Sequence, residues 1–194
     1  MRLFPSMAAI LPESEKGCAK VEHFEITEQD AEFSAMRAAF GHYDEMVEPG
    51  RYAKLRVNGR LMMTDTRMER ESNATFARYA RGDVLVAGLG LGMILHPVLA
   101  DPKVSSVTVI EKYQDVIDIV APTLASKKLT IVCADIFDWK PCKGTKWDVI
   151  YFDIWPDIST DALKGMATLH RRFGRRLNSG GWMDSWKRRE LRSR

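Results

Sequence analysis

Residues 83–92 read Asp83-Val84-Leu85-Val86-Ala87-Gly88-Leu89-Gly90-Leu91-Gly92. The run begins as a short apolar strand and passes into a loop that contains three glycines. Glycines let a backbone turn tightly and approach a ligand, and the N-terminus of the helix that follows favours negative charge. Glu111 ends the next apolar run, where a carboxylate can accept hydrogen bonds from both ribose hydroxyls. This order of parts favours a nucleotide-type ligand over an ordinary strand-to-helix turn.

Apolar strands and helices alternate from this loop towards the C-terminus. The predicted strands cover residues 83–87, 106–110, 129–133, 147–152 and 181–186. The predicted helices between them cover residues 93–100, 113–121 and 160–177, and no full helix fits between the third and fourth strands. Such alternation is typical of a parallel sheet covered on both faces. We therefore predict an α/β, Rossmann-like fold with a mostly parallel sheet of about five strands and flanking helices.

The segment before this sheet carries helix and hairpin signals. Thr27 can cap a helix, with Asp30 three residues on, and we expect this helix to pack on the main domain. Its apolar residues recur at Ala31, Ala35, Met36, Ala39 and Phe40. Asn58-Gly59 between two runs of β-forming residues predicts a hairpin over residues 52–63, and a second helix is expected at residues 68–79.

The 194 residues fit one main domain with a small N-terminal extension. We divide the chain into an irregular arm (1–22), a helix, hairpin and helix (23–81), a ligand-binding domain (82–187) and a basic tail (188–194). The start of the arm is not interpreted as a signal peptide, because prolines interrupt it and glutamates follow where a cleavage site would stand.

Composition indicates a soluble protein, with 45% hydrophobic and 28% charged residues and no apolar run near the length of a membrane span. The three cysteines, Cys18, Cys133 and Cys142, are an odd number without metal-ligand spacing, and Cys133 falls in a predicted buried strand. We therefore expect no metal site and a cytoplasmic location.

The net charge of +3 conceals an excess of arginine near the C-terminus. The basic residues there are Arg171, Arg172, Arg175, Arg176, Lys187, Arg188, Arg189, Arg192 and Arg194. Such a run can hold phosphates and so bring a nucleic acid to the protein, or it can simply be a solvated terminus, since no nucleic-acid-binding module is recognisable.

Three acids stand at the carboxyl ends of three consecutive predicted strands: Glu111, Asp135 and Asp153. Each alone could be a helix cap or a polar residue that ends a strand. Ligands of open parallel sheets bind outside that edge, so the three side chains are expected to converge on the crevice above the glycine loop.

This pattern resembles the class I S-adenosylmethionine-dependent methyltransferase superfamily over about residues 82–186. The resemblance implies that S-adenosylmethionine is the cofactor and that Glu111 binds its ribose. It also implies that Asp135 binds the adenine amino group, with Ile136 beside it, and that Asp153 lies near the methionine end and the reacting substrate. The implied cofactor-binding residues are Gly88, Leu89, Gly90, Gly92, Glu111, Lys112, Asp135, Ile136 and Asp153.

Within the superfamily, residues 57–65 and 147–153 resemble the spermidine synthase branch. Three features of that branch are missing, because Leu91 and Pro156 replace two of its aspartates and no tyrosine stands near residues 67–71. A buried leucine cannot balance the ammonium of an aminopropyl donor. The resemblance therefore favours a methyltransferase, with aminopropyl transfer as the alternative. The short chain also resembles small methyltransferase-like proteins of phages and prophages.

Other functions remain open at this point. A dinucleotide oxidoreductase is disfavoured because Met93 occupies the position of a further glycine. The sixth and seventh strands expected of the family lack residues to form them. This truncation favours a non-catalytic adenosyl-ligand binder or a homodimer that covers the open edge of the sheet.

The expected acceptor is a small molecule, with a nucleic acid as the alternative. Asp153 is the candidate catalytic residue, either as a general base or as the group that holds an amine. Trp155 is the candidate wall of the acceptor site, where its ring could attract a cation. His170 is expected on a solvated helix surface and receives no role.

Overall fold

The computed structural model describes residues 3–39, 46–157 and 159–192. They form a four-stranded antiparallel sheet followed by a five-stranded parallel sheet. The first sheet has chain order, with strands β1 (Ser14–Lys16), β2 (Ala19–Ile26), β3 (Gly50–Val57) and β4 (Arg60–Thr64). Two helices belong to this part of the chain, α1 (Glu28–Ala39) and α2 (Arg67–Tyr79).

The expected irregular arm contains regular structure. A short 3-10 helix at Met7–Ala9 and strand β1 lie within residues 1–22, and β2 begins there too. Asp65 fixes this segment, because its buried carboxylate accepts hydrogen bonds from Met7 N at 2.6 Å and Ala53 N at 2.7 Å. Arg70 Nη2 lies 3.2 Å from the same carboxylate. These elements were not predicted because their apolar runs are short and interrupted. Tertiary contacts stabilise them instead.

Helix α1 begins as predicted, but the apolar face that was expected to pack on the main domain is exposed to solvent. Thr27 and Asp30 form reciprocal hydrogen bonds at its N-terminus. Its buried residues are Ser34 and Ala38, whereas Met36 is 54% exposed, so the predicted apolar face does not pack on the core. Phe40 lies outside the described residues.

The predicted hairpin is confirmed as β3 and β4. Asn58 and Gly59 both have positive φ, 50° and 75°, as a two-residue hairpin turn that follows the strand twist requires. The next helix, α2, begins one residue before the predicted start and ends at the predicted residue.

The parallel sheet has the strand order β7-β6-β5-β8-β9. These strands are β5 (Gly82–Ala87), β6 (Val104–Glu111), β7 (Leu129–Cys133), β8 (Trp147–Phe152) and β9 (Leu177–Ser185). The intervening helices are α3 (Leu95–Ala100), α4 (Gln114–Val120) and α5 (Ala162–Phe173), and α6 (Arg188–Arg192) follows the last strand. The predicted α/β fold is thereby confirmed, and the described residues add no sixth or seventh strand to this sheet.

Alternate residues of the central strand enter two different apolar clusters. Val84 and Val86 pack with Leu55 and other residues of the antiparallel sheet, whereas Leu85 and Ala87 pack on the opposite face against the side of α5. Both faces of the parallel sheet are therefore buried, as the continuous apolar strands predicted.

The C-terminal elements differ from their predicted bounds. The last long helix ends at Phe173 instead of residue 177, and a 3-10 turn at Gly174–Arg176 follows. The predicted stop at residues 178–180 lies inside β9, where Gly180 has a φ of 74° and the pairing with β8 shifts. Glycine was taken as a helix terminator, but here it accommodates an irregularity in a strand.

Two of the late arginines support the loop between β7 and β8, which contains no helix, as predicted. Arg172 donates to the carbonyl oxygens of Ile136, Phe137 and Trp139. Arg176 donates to those of Cys142 and Thr145. Cys133, expected to be buried, is exposed because β7 is an edge strand.

Candidate functional site

A cavity of about 560 Å³ lies outside the carboxyl ends of β5, β6, β7 and β8. This volume is within the range of sites for small ligands and cofactors. The glycine loop and the strand-end acids form its floor, and the hairpin of β3 and β4 covers it with Leu55, Val57, Arg60, Met62 and Met63. The three predicted acids, Glu111, Asp135 and Asp153, all line this one cavity.

The glycine loop is held in a conformation that other residues rarely adopt. Gly88, Gly90 and Gly92 have φ values of 96°, 52° and 77°. A Cβ atom on Gly88 would overlap the backbone oxygen of Asp153, and one on Gly90 would overlap the sulfur of Met63. The backbone of the loop turns tightly, as the sequence predicted, and it approaches neighbouring protein atoms closely.

Met63 lies directly against this loop, since its sulfur accepts a hydrogen bond from Leu91 N at 3.1 Å. Gly88, Leu89 and Gly90 line the cavity, but Gly92 does not. A Cβ atom on Gly92 would lie 3.0 Å from Val120, so this glycine permits close packing of the loop against α4 and the turn after it.

Glu111 is buried beside the loop and is fixed by backbone hydrogen bonds. Its carboxylate accepts from Leu89 N at 2.8 Å and from Tyr113 N at 2.9 Å. Burial raises the pKa of the Glu111 carboxyl, although these bonds and one from Lys112 act against the shift. Each oxygen keeps a lone pair that could accept from a ligand hydroxyl.

Asp135 lies at the end of β7 with Lys112 beside it. Its carboxylate accepts from Phe137 N at 2.9 Å and lies 2.9 Å from Lys112 Nζ. Burial acts to raise its pKa, but the hydrogen bond from Phe137 and the pairing with Lys112 outweigh burial and hold the pKa of Asp135 below its usual value. Asp135 is therefore a charged acceptor at neutral pH, and the buried Ile136 adds an apolar wall to the cavity.

Asp153 follows β8 and differs from the other two acids. Within the described residues, no hydrogen bond or ion pair engages its carboxylate, and burial alone raises its pKa to about 7. A carboxyl with such a pKa exchanges a proton readily near neutral pH. Trp155 and Pro156 continue the wall of the cavity from this residue.

Glu69 is a fourth acid in the cavity that the sequence analysis missed. It projects from α2 and is only 7% exposed. Burial, followed by the charge of Asp153, raises the pKa of Glu69 to about 8, while the charge of Lys187 acts in the opposite direction. The sequence signal for the buried position of Glu69 is its spacing from Asn73 and Phe76. The three residues lie on one face of the helix, and all are buried.

The hairpin is tied across the cavity to the segment after β8. Arg60 Nη2 lies 2.5 Å from Asp157 Oδ2, and both side chains are more than half exposed. Trp186, just beyond β9, lines the same end of the cavity and donates from Nε1 to Ser72 Oγ of α2 at 2.9 Å. The cavity is thus enclosed by the hairpin, α2 and the strand ends.

His170 is not the solvated residue that was expected. Its Nε2 lies 2.9 Å from the buried Ser185 Oγ, and its ring lies 5.7 Å from that of Phe152. Burial, followed by the charge of Arg188, lowers the pKa of His170 to about 4. The neutral ring joins α5 to β9 and does not line the cavity.

The described residues contain no helix long and apolar enough to cross a membrane. In the same residues, no group of three or more His, Cys, Asp or Glu side chains is placed to hold a metal ion.

The fold is that of the class I S-adenosylmethionine-dependent methyltransferases, a class that includes the spermidine synthases. Spermidine synthase from Thermotoga maritima superposes with a TM-score of 0.53 and 15% identity over 90% of this chain and 55% of its own. A spermidine synthase in complex with the transition-state analogue AdoDATO gives a TM-score of 0.49 and 17% identity over 69% of this chain and 48% of its own.

The N-methyltransferase NodS from Bradyrhizobium japonicum gives a TM-score of 0.47 and 17% identity over 60% of this chain and 66% of its own. This chain therefore spans about half to two-thirds of the length of these structures. No protein-family profile matches the sequence. No curated protein matches it either.

Proposed function

We propose that this chain is an S-adenosylmethionine-dependent methyltransferase that acts on a small-molecule acceptor. The observation that carries the proposal is the single cavity into which the glycine loop, Glu111, Asp135 and Asp153 converge. Ligands bind at this edge of open parallel sheets. The fold shared with methyltransferases and spermidine synthases supports the same reading.

The residues of the cavity fit such a cofactor chemically. Glu111 offers carboxylate lone pairs to ribose hydroxyls, and the charged Asp135 offers an acceptor to an exocyclic amino group. Ile136 provides apolar contact for a base. When bound, S-adenosylmethionine supplies a methyl group that its sulfonium already activates.

The protein then has to orient the acceptor and receive a proton. Asp153 lies at the cavity wall with a carboxylate that no described residue engages, so it is available to an acceptor. The hairpin, Trp155 and Trp186 enclose this end and restrict water. Positioning of this kind can supply a large part of the rate enhancement.

Thermal-shift titrations with S-adenosylmethionine, S-adenosylhomocysteine, decarboxylated S-adenosylmethionine and NAD test the proposal. We expect the first two ligands to raise the melting temperature and NAD to leave it unchanged. A preference for the decarboxylated form would overturn methyl transfer in favour of aminopropyl transfer. No response to any adenosyl ligand would overturn the proposed function itself.

Aminopropyl transfer is the second candidate because the likeness to spermidine synthase covers 90% of this chain and so includes the antiparallel sheet. Leu91, which replaces an acid of that branch, is fully buried and does not line the cavity. Such a residue gives no anchor to a charged aminopropyl group, which supports methyl transfer instead.

The cellular setting belongs to the same proposal. All three cysteines are free, which supports a reducing, cytoplasmic environment. A homodimer through the edge of the parallel sheet and a phage or prophage origin remain part of the proposal. Binding of nucleic acid would use exposed arginines such as Arg171, Arg175, Arg189 and Arg192, since Arg172 and Arg176 support the loop between β7 and β8.

Replacement of Asp153 by alanine separates binding from chemistry. We expect Asp153→Ala to bind S-adenosylhomocysteine within about threefold of the wild type, because Glu111 and Asp135 remain, and to lose at least roughly 100-fold in methyl transfer. Calorimetry measures the binding, and release of S-adenosylhomocysteine measures the turnover. Full turnover in the variant would remove Asp153 from the reaction.

A further inference from the structure

We propose that Glu69 and Asp153 together form the acceptor subsite of the cavity and that this subsite takes the acceptor as a protonated amine. The inference rests on the proposed function, because it names the acceptor class and a second acidic residue for the same cavity. It starts from Glu69, whose position on α2 brings a buried carboxylate to the cavity wall.

The order of the strands gives the cavity two ends. Asp135 and Glu111 end β7 and β6, on one side of the central strand β5, whereas Asp153 follows β8 on the other side. Glu69 belongs to the second end, since its helix is joined there by hydrogen bonds: Tyr151 of β8 donates to Asn73 at 2.9 Å, and Trp186, just beyond β9, donates to Ser72 at 2.9 Å. The two pairs of acids therefore occupy opposite ends of one cavity.

The two ends differ in how their acids are held. Backbone N–H groups bind the carboxylates of Glu111 and Asp135. Among the described residues, no hydrogen bond or ion pair engages the carboxylate of Glu69 or of Asp153. Glu69 is buried and Asp153 is half-buried, and a carboxylate withdrawn from water without a partner is costly; a cation that lies between the two lowers that cost.

Three cations near this end, Arg60, Lys187 and Arg189, are each paired with another carboxylate. Lys187 is the cation that faces Glu69, but its ammonium lies 2.9 Å from Glu190. The hydroxyl of Tyr151 donates to Asn73 Oδ1 at 2.9 Å, and Asp184 lies 3.4 Å from Arg189. At the other end, Lys112 is paired with Asp135.

Two indole rings complete the subsite. Trp155 follows Asp153 in the chain and Trp186 follows β9, and both line the cavity. Aromatic faces attract ammonium groups and present apolar surface to the carbon chain of an amine. An anionic acceptor would be repelled by the charged acids, and an uncharged acceptor would gain only hydrogen bonds from them.

The same pair supplies the proton acceptor for the reaction. The ammonium of the acceptor breaks one N–H bond and passes the proton to a carboxylate oxygen of the pair, while the electron pair stays on nitrogen. That electron pair forms the new N–C bond as the methyl carbon leaves sulfur, which keeps the electrons of the broken bond. The proton then passes from the carboxyl group to water.

Isothermal titration of the protein saturated with S-adenosylhomocysteine tests the subsite, with butylamine, 1-butanol and butyrate as probes at pH 8.5. We expect butylamine to bind at least roughly tenfold more tightly than either other probe. Glu69→Gln should weaken butylamine at least roughly tenfold, and Glu69→Asp should restore part of the affinity. Glu71→Gln is the matched control, because Glu71 lies on the same helix with a side chain that is 63% exposed and paired with Arg67.

The pH dependence separates this role from a structural one. Since both carboxyl groups take up protons as the pH falls through 8 and 7, butylamine should bind more weakly at pH 6 than at pH 8.5 in the wild type, and less so in Glu69→Gln. Equal binding of butylamine and butanol, or wild-type affinity and pH dependence in Glu69→Gln, would overturn the subsite.

A parallel titration without S-adenosylhomocysteine distinguishes failure of the subsite from failure of the proposed function. Protein that responds to S-adenosylhomocysteine but does not prefer butylamine would overturn the subsite alone. Protein that binds butylamine through Glu69 and ignores S-adenosylhomocysteine would overturn the methyltransferase alone.

Discussion

The four acids of the cavity illustrate how local surroundings assign different tasks to one functional group. Glu111 and Asp135 are fixed by backbone N–H groups, and Asp135 is held in its charged form beside Lys112. Asp153 and Glu69 lack such partners, and their pKa values rise to about 7 and about 8. The first pair suits permanent hydrogen-bond acceptors, and the second suits groups that exchange a proton.

The raised pKa values predict how stability depends on pH. The folded protein retains protons on Glu69 and Asp153 that the unfolded chain, with ordinary values of 4.5 and 3.8, releases as the pH rises. Their contribution to stability is therefore complete below about pH 4 and is lost as the pH rises through 7 and 8. We expect Glu69→Gln and Asp153→Asn each to melt roughly 3 °C or more above the wild type at pH 8.5, with a smaller difference at pH 5.

Melting curves of ligand-free protein at the two pH values measure this difference, in which the titration of all other groups cancels. A variant that melts at the wild-type temperature at pH 8.5 would show that the carboxylate is not destabilised by burial.

Substitution of Gly90 tests the glycine loop. Gly90→Val places a β-branched side chain at a φ of 52° and against the sulfur of Met63, so we expect a loss of at least about 1–2 kcal/mol in stability and loss of binding of S-adenosylhomocysteine. Gly144→Val is the control, since Gly144 has a φ of 87° but open space around its Cβ position. Chemical denaturation and calorimetry on both variants measure the effects, and wild-type affinity in Gly90→Val would argue strongly against the site.

At the scale of elements, the fold could be predicted where one short signal determines the local structure. The Asn58-Gly59 turn fixed the hairpin, and continuous apolar runs located β5, β7 and β8 to within one residue. The prediction failed where tertiary contacts decide. Strand β1 exists because it pairs with β2, and the exposed face of α1 follows from burial of Ser34 and Ala38.

The residues of the candidate site also differ in whether the sequence could predict them. The three acids at strand ends were predictable, because the carboxyl edge of a parallel sheet places such residues together. Glu69 was not, since its spacing with Asn73 and Phe76 marks one face of α2 but does not show that this face borders the crevice until the antiparallel sheet and α2 are docked. His170 was assigned to solvent because arginines surround it in sequence, yet its ring contacts Ser185 and Phe152.

Asp65 connects the arm, β3 and α2, which predicts a large effect of its removal. Asp65→Ala leaves Met7 N and Ala53 N without their acceptor and Arg70 without its counter-ion, in a fully buried position. We expect a loss of about 3–5 kcal/mol in the free energy of unfolding. Glu71→Ala, which removes an exposed pair with Arg67 on the same helix, should cost less than about 1 kcal/mol. Urea denaturation compares the two, and similar losses would contradict a structural role for Asp65.

At the scale of the whole molecule, the antiparallel sheet is part of the same apolar core as the parallel sheet. Cys18 N donates to Asp115 of α4 at 2.9 Å, and Lys16 pairs with Asp118 of the same helix. The hairpin that covers the cavity is therefore anchored at both of its ends, through the core and through the pair of Arg60 with Asp157.

The core that the two sheets share predicts one cooperative response to ligand. We expect S-adenosylhomocysteine at 100 times its dissociation constant to stabilise the whole chain by about 2.7 kcal/mol, with coincident transitions by circular dichroism and by tryptophan fluorescence. A ligand-dependent shift in one transition only would show that the two sheets unfold separately.

The contacts on one face of α2 limit how acceptor preference can change among relatives. Ser72 and Asn73 bind Trp186 and Tyr151, and the ring of Phe76 stacks on Tyr151 at 4.4 Å, so the helix that carries Glu69 is locked to β8 and to the end of β9. The spacing between its acid and Asp153 is thus built into the scaffold. Within the described residues Met62 of the covering hairpin makes no such hydrogen bond, and substitutions there can reshape the chamber around an amine while its charge recognition stays constant.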